Sequence, residues 1–164
     1  MGLQPERSVQ RKKAVCRVTL KVHVDSGKQE DIVMNKLKEL LQKDYVILDG
    51  GMGTMLQAAG MKMGETPEML NITEPELLIS IHEQYLKAGA DIIYANTFGG
   101  NRYKLEECGH SVDELVTAGI KNAKKACANV NPRALVALDV GPIGQLLEPT
   151  GTLSLRKLMR CMLR

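Results

Sequence analysis

Hydrophobic positions along this 164-residue chain change period several times, and the changes mark out elements. From Met34, "MNKLKELLQK" places Leu37, Leu40 and Leu41 on one side of a short amphipathic helix. "YVILDGG" follows as a short apolar strand. In "ITEPELLISIHEQYLKAGA" the apolar set Leu77, Leu78, Ile81, Tyr85 and Leu86 falls at helical spacing. Thr73 is the expected N-cap there, with Pro75 early in the first turn, Glu76 three residues after the cap and Gly89 as the stop. "DIIYANTF" is the next strand. "SVDELVTAGIKNAKKACANV" opens with a Ser111-x-x-Glu114 capping box and turns Val112, Leu115, Val116, Ile120, Ala123 and Cys127 inward. "RALVALDVG" is a third strand, and "AVCRVTLKVHV" at 14–24 gives a weaker strand signal.

The order β-α-β-α-β, with strands apolar on both faces, predicts an α/β fold with a parallel sheet covered by helices. Composition agrees with one globular domain: 44% hydrophobic and 25% charged residues. No apolar run reaches the roughly 18 residues of a membrane span, and no signal-peptide segment is present, so no membrane role and a cytoplasmic location are expected. The net charge of +3 is unevenly spread. Residues 1–33 carry seven Lys/Arg against four Asp/Glu, residues 155–164 carry four cations and no acid, and the body is mildly acidic. One Phe, no Trp and no aromatic–basic interleaving leave nucleic-acid binding without support. The four cysteines, Cys16, Cys108, Cys127 and Cys161, form no C-x-x-C, which argues against a disulfide framework or a zinc knuckle.

Parallel α/β architectures carry their chemistry at the C-terminal ends of strands. Here those ends bear Asp49-Gly50-Gly51, then Asn96-Thr97-Phe98, then Asp139 with Gly141. Turn formation explains one such end; three in register point to a small-molecule site. A phosphate loop fails, because no lysine follows Gly51-Met52-Gly53, and Leu56 stands where a dinucleotide fingerprint needs its third glycine. An acid beside bare backbone amides suits a zwitterion: Asp49 takes an ammonium, the glycine amides a carboxylate. His82 and His110 read as boundary and turn residues, and Met52, Met55, Met61 and Met63 as core and boundary filler.

"ILDGGMGTMLQ", "PEMLNITEPELLISIHEQYLKAGADIIYANTFGGNRYKL" and "ALVALDVGPIGQLLEPTG" together resemble the first third to half of the homocysteine S-methyltransferase family, nearest to its methionine-synthase type. The resemblance runs over about residues 40–152. It implies the N-terminal portion of a (β/α)8 TIM barrel, ending after three to four strands. It also implies homocysteine as substrate and a zinc ion that acidifies the homocysteine thiol for methyl transfer. Asp49, Gly50 and Gly51 would seat the amino-acid end; Asn96, Thr97 and Asp139 would line the same mouth. The resemblance leaves methylcobalamin, betaine and S-methylmethionine open as donors, and implies cobalamin and folate modules or the rest of the barrel as partners. The family's zinc is held by three late cysteines, and no cysteine here stands in a matching context. The expectation is therefore a fragment inactive alone, with no catalytic or metal residue of its own. The rival expectation is a non-catalytic small-molecule binder or a half-barrel completed by a second chain.

Both ends carry their own expectations. "QED" at 29–31 can be encoded with a ribosome-binding sequence at normal spacing before Met34, so residues 1–33 are expected to be leader or a disordered arm and 34–154 the partial barrel. Residues 155–164 read as an aberrant basic tail. Codons compatible with it, preceded by one added T, spell FEEAYEMYAE, which restores an acidic capped helix after Ser154. A single-nucleotide frameshift is the expected origin.

Overall fold

A computed structural model describes residues 27–105 and 108–162, so the strand expected at 14–24 lies outside the described residues. Helix α1 (Gly27–Leu40) begins seven residues before Met34. Leu40 is its buried anchor, while Leu41 is exposed and leaves the expected face. The Lys36 ammonium ties the helix to the Pro132 carbonyl at 2.8 Å.

A short α2 (Met52–Ala58) is followed by a 3-10 turn at Pro67–Met69, by α3 (Leu70–Thr73) and by α4 (Pro75–Lys87). Thr73 is not the cap of α4. It still belongs to the helical turn of α3, where its Oγ1 donates to the Met69 carbonyl at 3.2 Å. The backbone reorients one residue later, at Glu74, which serves as N-cap without a side-chain hydrogen bond, with Pro75 at the first helical position. Gly89, at φ +105°, takes the left-handed conformation that ends the helix.

Strand β1 (Ile92–Tyr94), α5 (Arg102–Leu105), α6 (Val112–Val130), β2 (Leu135–Ala137) and α7 (Leu155–Met162) complete the order. The two strands pair in parallel, Ile93 opposite Val136. On the other side of β1 the first apolar run contributes one parallel bridge, Leu48 to Ile92, with Asp49 N–H donating to the Ile92 carbonyl at 3.1 Å. The three expected strands are therefore present in order but shorter than their apolar runs, and the first is a single bridge.

Helices α4 and α6 cover one face of this sheet. Ile93 and Ala95, two apart along the chain and so on the same face, join Ile79, Leu86, Ala123, Ala126 and Cys127 in one core. The opposite face is not sealed: Leu48, bridged to Ile92 and on the face away from Ile93, is 48% exposed, and Leu135 and Ala137 of β2 are half-buried. The expectation of strands buried on both faces is corrected accordingly. Among the described residues, helices cover only one side.

Helix α4 carries two apolar stripes. Leu78 and Ile81 meet Leu56, with Met52, Met55 and Met61 packed around them, whereas Met63 is 95% exposed and fills nothing. Ile79 and Leu86 face the sheet core, and His82 stands three and four residues from them, fully buried. The boundary placement expected for His82 is thus wrong. Its sequence neighbours Ile81 and Glu83 point about 100° away around the helix, while residues at i−3 and i+4 share its face.

The capping box of α6 is present, with Glu114 N–H donating to Ser111 Oγ and Ser111 N–H donating to the Glu114 carboxylate. Replacing Ser111 by Ala should cost about 1 kcal/mol in a urea titration, without changing the slope.

Candidate functional site

All three parallel segments end at the same edge, and a cleft of about 350 Å³ opens there. Its walls include Asp49, Gly50, Gly51, Asn96, Thr97 and Asp139. The structure thus brings all six sequence-derived candidates to one place, though with different jobs.

Asp49 ends the first segment. Its Oδ2 accepts the Tyr94 backbone N–H at 3.0 Å, while its Oδ1 is buried and meets no donor among the described residues. Burial pushes its pKa above the ordinary value and the nearby Asp139 carboxylate adds to that; the Tyr94 N–H opposes. A buried carboxylate oxygen without a donor is costly, and a cationic donor entering the cleft would relieve it.

Gly50 lies against the Tyr85 ring, so a Cβ there would sit 3.0 Å from ring atoms. The Gly51 carbonyl accepts from Thr54 Oγ1 at 2.8 Å and from the Tyr85 hydroxyl at 3.3 Å. These contacts fix the loop at the head of α2 and keep bare backbone at the cleft wall.

Asn96 and Thr97 build the wall rather than offering their side chains. The Asn96 amide donates to the Pro67 carbonyl at 2.8 Å and to Asn71 Oδ1 at 3.0 Å. Thr97 Oγ1 donates to the Asp139 carbonyl at 2.9 Å and accepts the Asp139 N–H at 3.1 Å, stapling the ends of the second and third strands together. Of the six, only Asp49 and Asp139 bring ionisable groups.

Sequence reasoning missed two charged residues of the same cleft, Glu68 and Lys104. Glu68 is buried on the 3-10 turn, and one oxygen accepts the Gly99 N–H. A Cβ on Gly99 would stand 2.8 Å from that oxygen, so the glycine makes room for the acid. Lys104 sits on α5 with its ammonium 5.3 Å from the centroid of the Phe98 ring. A Pro-Glu pair between two apolar runs was the only local signal for Glu68, and its partner lies 31 residues away.

Among the described residues, Cys108 and Cys127 do not serve this cleft. Cys108 Sγ donates to the Leu105 carbonyl at 3.0 Å. Cys127 lies in the helix–sheet core, where burial raises its thiol pKa. Among the described residues, no three His, Cys, Asp or Glu side chains gather as a metal-binding group. No helix among them is long and apolar enough to cross a membrane.

A family model described as Homocysteine S-methyltransferase matches residues 46–161. The chain is 41% identical over 71 residues to a methionine synthase of Mycobacterium tuberculosis, covering 40% of this chain and 6% of that protein. It is 32% identical over 95 residues to a selenocysteine Se-methyltransferase of Brassica oleracea var. italica, covering 56% and 28% respectively. The crystal structure of the homocysteine methyltransferase MmuM from Escherichia coli, in its metallated form, superposes with a TM-score of 0.58 at 29% identity, covering 67% of this chain and 42% of that one. The chain thus spans less than half the length of each of these relatives.

Proposed function

The chain belongs to the homocysteine S-methyltransferase family, and from that premise we propose that its cleft binds the amino-acid end of homocysteine in a methyl transfer of the methionine-synthase type. The observation that carries this reading is Asp49, whose buried Oδ1 lacks a donor among the described residues and sits beside the bare Gly50-Gly51 backbone. Asp49 receives the ammonium, and Asp139 adds negative charge to the same end of the cleft. Thr97 and Asn96 hold these groups in register and keep their own polar atoms occupied.

Zinc activation of the thiol, implied by the resemblance, has no ligand set among the described residues. Cys108 and Cys127 face elsewhere, so no chemical step is assigned to a metal held by them. What this part of the chain contributes is recognition and orientation of the substrate. Methylcobalamin is the donor in this reading, which rests on the similarity to a methionine synthase.

Calorimetric titration of the 164-residue chain with homocysteine tests the reading. Binding should weaken roughly tenfold or more in Asp49→Asn, because a charged hydrogen bond contributes about 1.5–3 kcal/mol. Affinity should rise with pH through the raised Asp49 pKa, since only the ionised carboxylate pairs with an ammonium. Unchanged affinity in Asp49→Asn would remove Asp49 from the site.

A second reading, a non-catalytic half-barrel completed by another chain, is favoured by the unsealed sheet face. Leu138 and Val140, just beyond β2, are 53% and 58% exposed, and Leu48, across β1 from β2, is 48% exposed. Such a protein should show concentration-dependent assembly by light scattering; a monomer at all concentrations argues against it.

A further inference from the structure

The cleft's charges are unbalanced in a way that bears on ligand choice. Among the described residues, three carboxylates, Asp49, Glu68 and Asp139, line it together with one cation, Lys104. Lys104 is solvent-exposed where it lines the cleft, and its backbone is held in place. Its backbone N–H donates to Asn101 Oδ1 at 3.2 Å, and Leu105, next on the same helical turn, is buried. Its ammonium lies over the Phe98 ring, within cation–π range. Phe98 is itself anchored, because its carbonyl accepts the Gly141 N–H at 3.0 Å and Gly141 leaves no space for a Cβ beside the ring. Among the described residues, the Lys104 ammonium forms no salt bridge with a protein carboxylate.

We propose that Lys104, steered by Phe98, binds the carboxylate of the amino-acid ligand and selects α-amino acids over simple amines. The assignment rests on the reading of the cleft as a homocysteine site. An ammonium alone would satisfy Asp49 and leave Lys104 unused; a zwitterion engages both. Backbone amides at Gly50-Gly51 remain available to the same carboxylate, but they carry no net charge. The side chain adds the charge-dependent discrimination.

The test compares two thiols in calorimetric titrations of the full 164-residue chain. One is homocysteine; the other is 3-aminopropane-1-thiol, the same molecule without its carboxylate. Lys104→Met should weaken homocysteine binding roughly tenfold and leave the aminothiol within about twofold. Lys104→Arg, which keeps the charge and the ring contact, should restore most of the homocysteine affinity. Equal losses for both thiols, or none for homocysteine, would overturn the assignment while leaving the homocysteine reading intact. Absence of homocysteine binding by the unmodified chain would overturn both. Thermal melts of each variant, expected within a few degrees of the parent, separate binding loss from unfolding.

Discussion

Acidification from pH 7 to pH 4 should take about 3 kcal/mol from the folding stability of this protein through His82 alone. The ring, on helix α4, is fully buried, and neither Nδ1 nor Nε2 has a hydrogen-bond partner among the described residues. Burial pushes its pKa down from 6.5 to about 4. Between those values the unfolded chain binds a proton that the folded chain refuses, so stability falls as pH falls. The contribution is fully present above pH 6.5 and fully lost below pH 4. Other carboxylates do not mimic this window. Asp91, paired with Lys43, and Glu114, bonded to the Ser111 N–H, have pKa values held below the ordinary carboxylate range, so their losses run from the ordinary carboxylate value downward, well below 6.5. The raised Asp49 pKa acts in the opposite sense, favouring the folded state as that carboxyl protonates. Urea midpoints measured at intervals from pH 7 to pH 4.5 should therefore decline steeply in the parent. They should stay nearly flat in His82→Leu, which fills similar space without ring nitrogens. A parallel decline in both would show that His82 is not the titrating group.

Asn71→Ala is the second large expected effect, a loss of about 3–5 kcal/mol in urea unfolding. The Asn71 amide donates to the Asn96 carbonyl at 2.8 Å and to the Leu115 carbonyl at 3.0 Å, and its Oδ1 accepts from the Asn96 side chain at 3.0 Å. Its own carbonyl accepts from Asn122 at 2.9 Å. Helix α6 comes this close because Gly119 has no Cβ; one there would meet the Asn71 amide at 2.8 Å. Truncation to Ala deletes three of these bonds and leaves one Asn96 amide hydrogen and the Asn96 carbonyl without their buried partner. The loss should reach the cleft as well, since Asn96 then has only Pro67 to orient it. Homocysteine affinity should drop even at temperatures where the variant remains folded. A change below 1 kcal/mol would show that water replaces the amide.

The elements and their order were legible in the chain because each is written locally. The apolar periods of α4 and α6, the Ser111–Glu114 box and the Gly89 stop involve residues within a turn or two of one another. The same locality explains why Asp49, Gly50, Gly51, Asn96, Thr97 and Asp139 could be collected at one edge: parallel strands put all their C-terminal ends together. Strand length was not local. The apolar runs from Tyr45, Asp91 and Arg133 extend past the paired residues because their ends bend into the cleft wall, as the Thr97–Asp139 staple shows.

What the sequence determined by itself is the α/β order, the helix faces apart from Leu41 and His82, and the family, all of which depend on neighbours along the chain. What only the tertiary structure decided is the use of polar side chains whose partners lie 25 to 51 residues away. Asn96 is consumed by Asn71, Thr97 by Asp139, and Glu68 by Gly99. His82 is enclosed without a partner among the described residues, while Lys104 and Asp49 bring opposite charges to one cleft. A side chain's hydrogen bonds depend on distances in space, and the chain's local pattern carries those distances only after helix α6 has packed against α4 and the sheet.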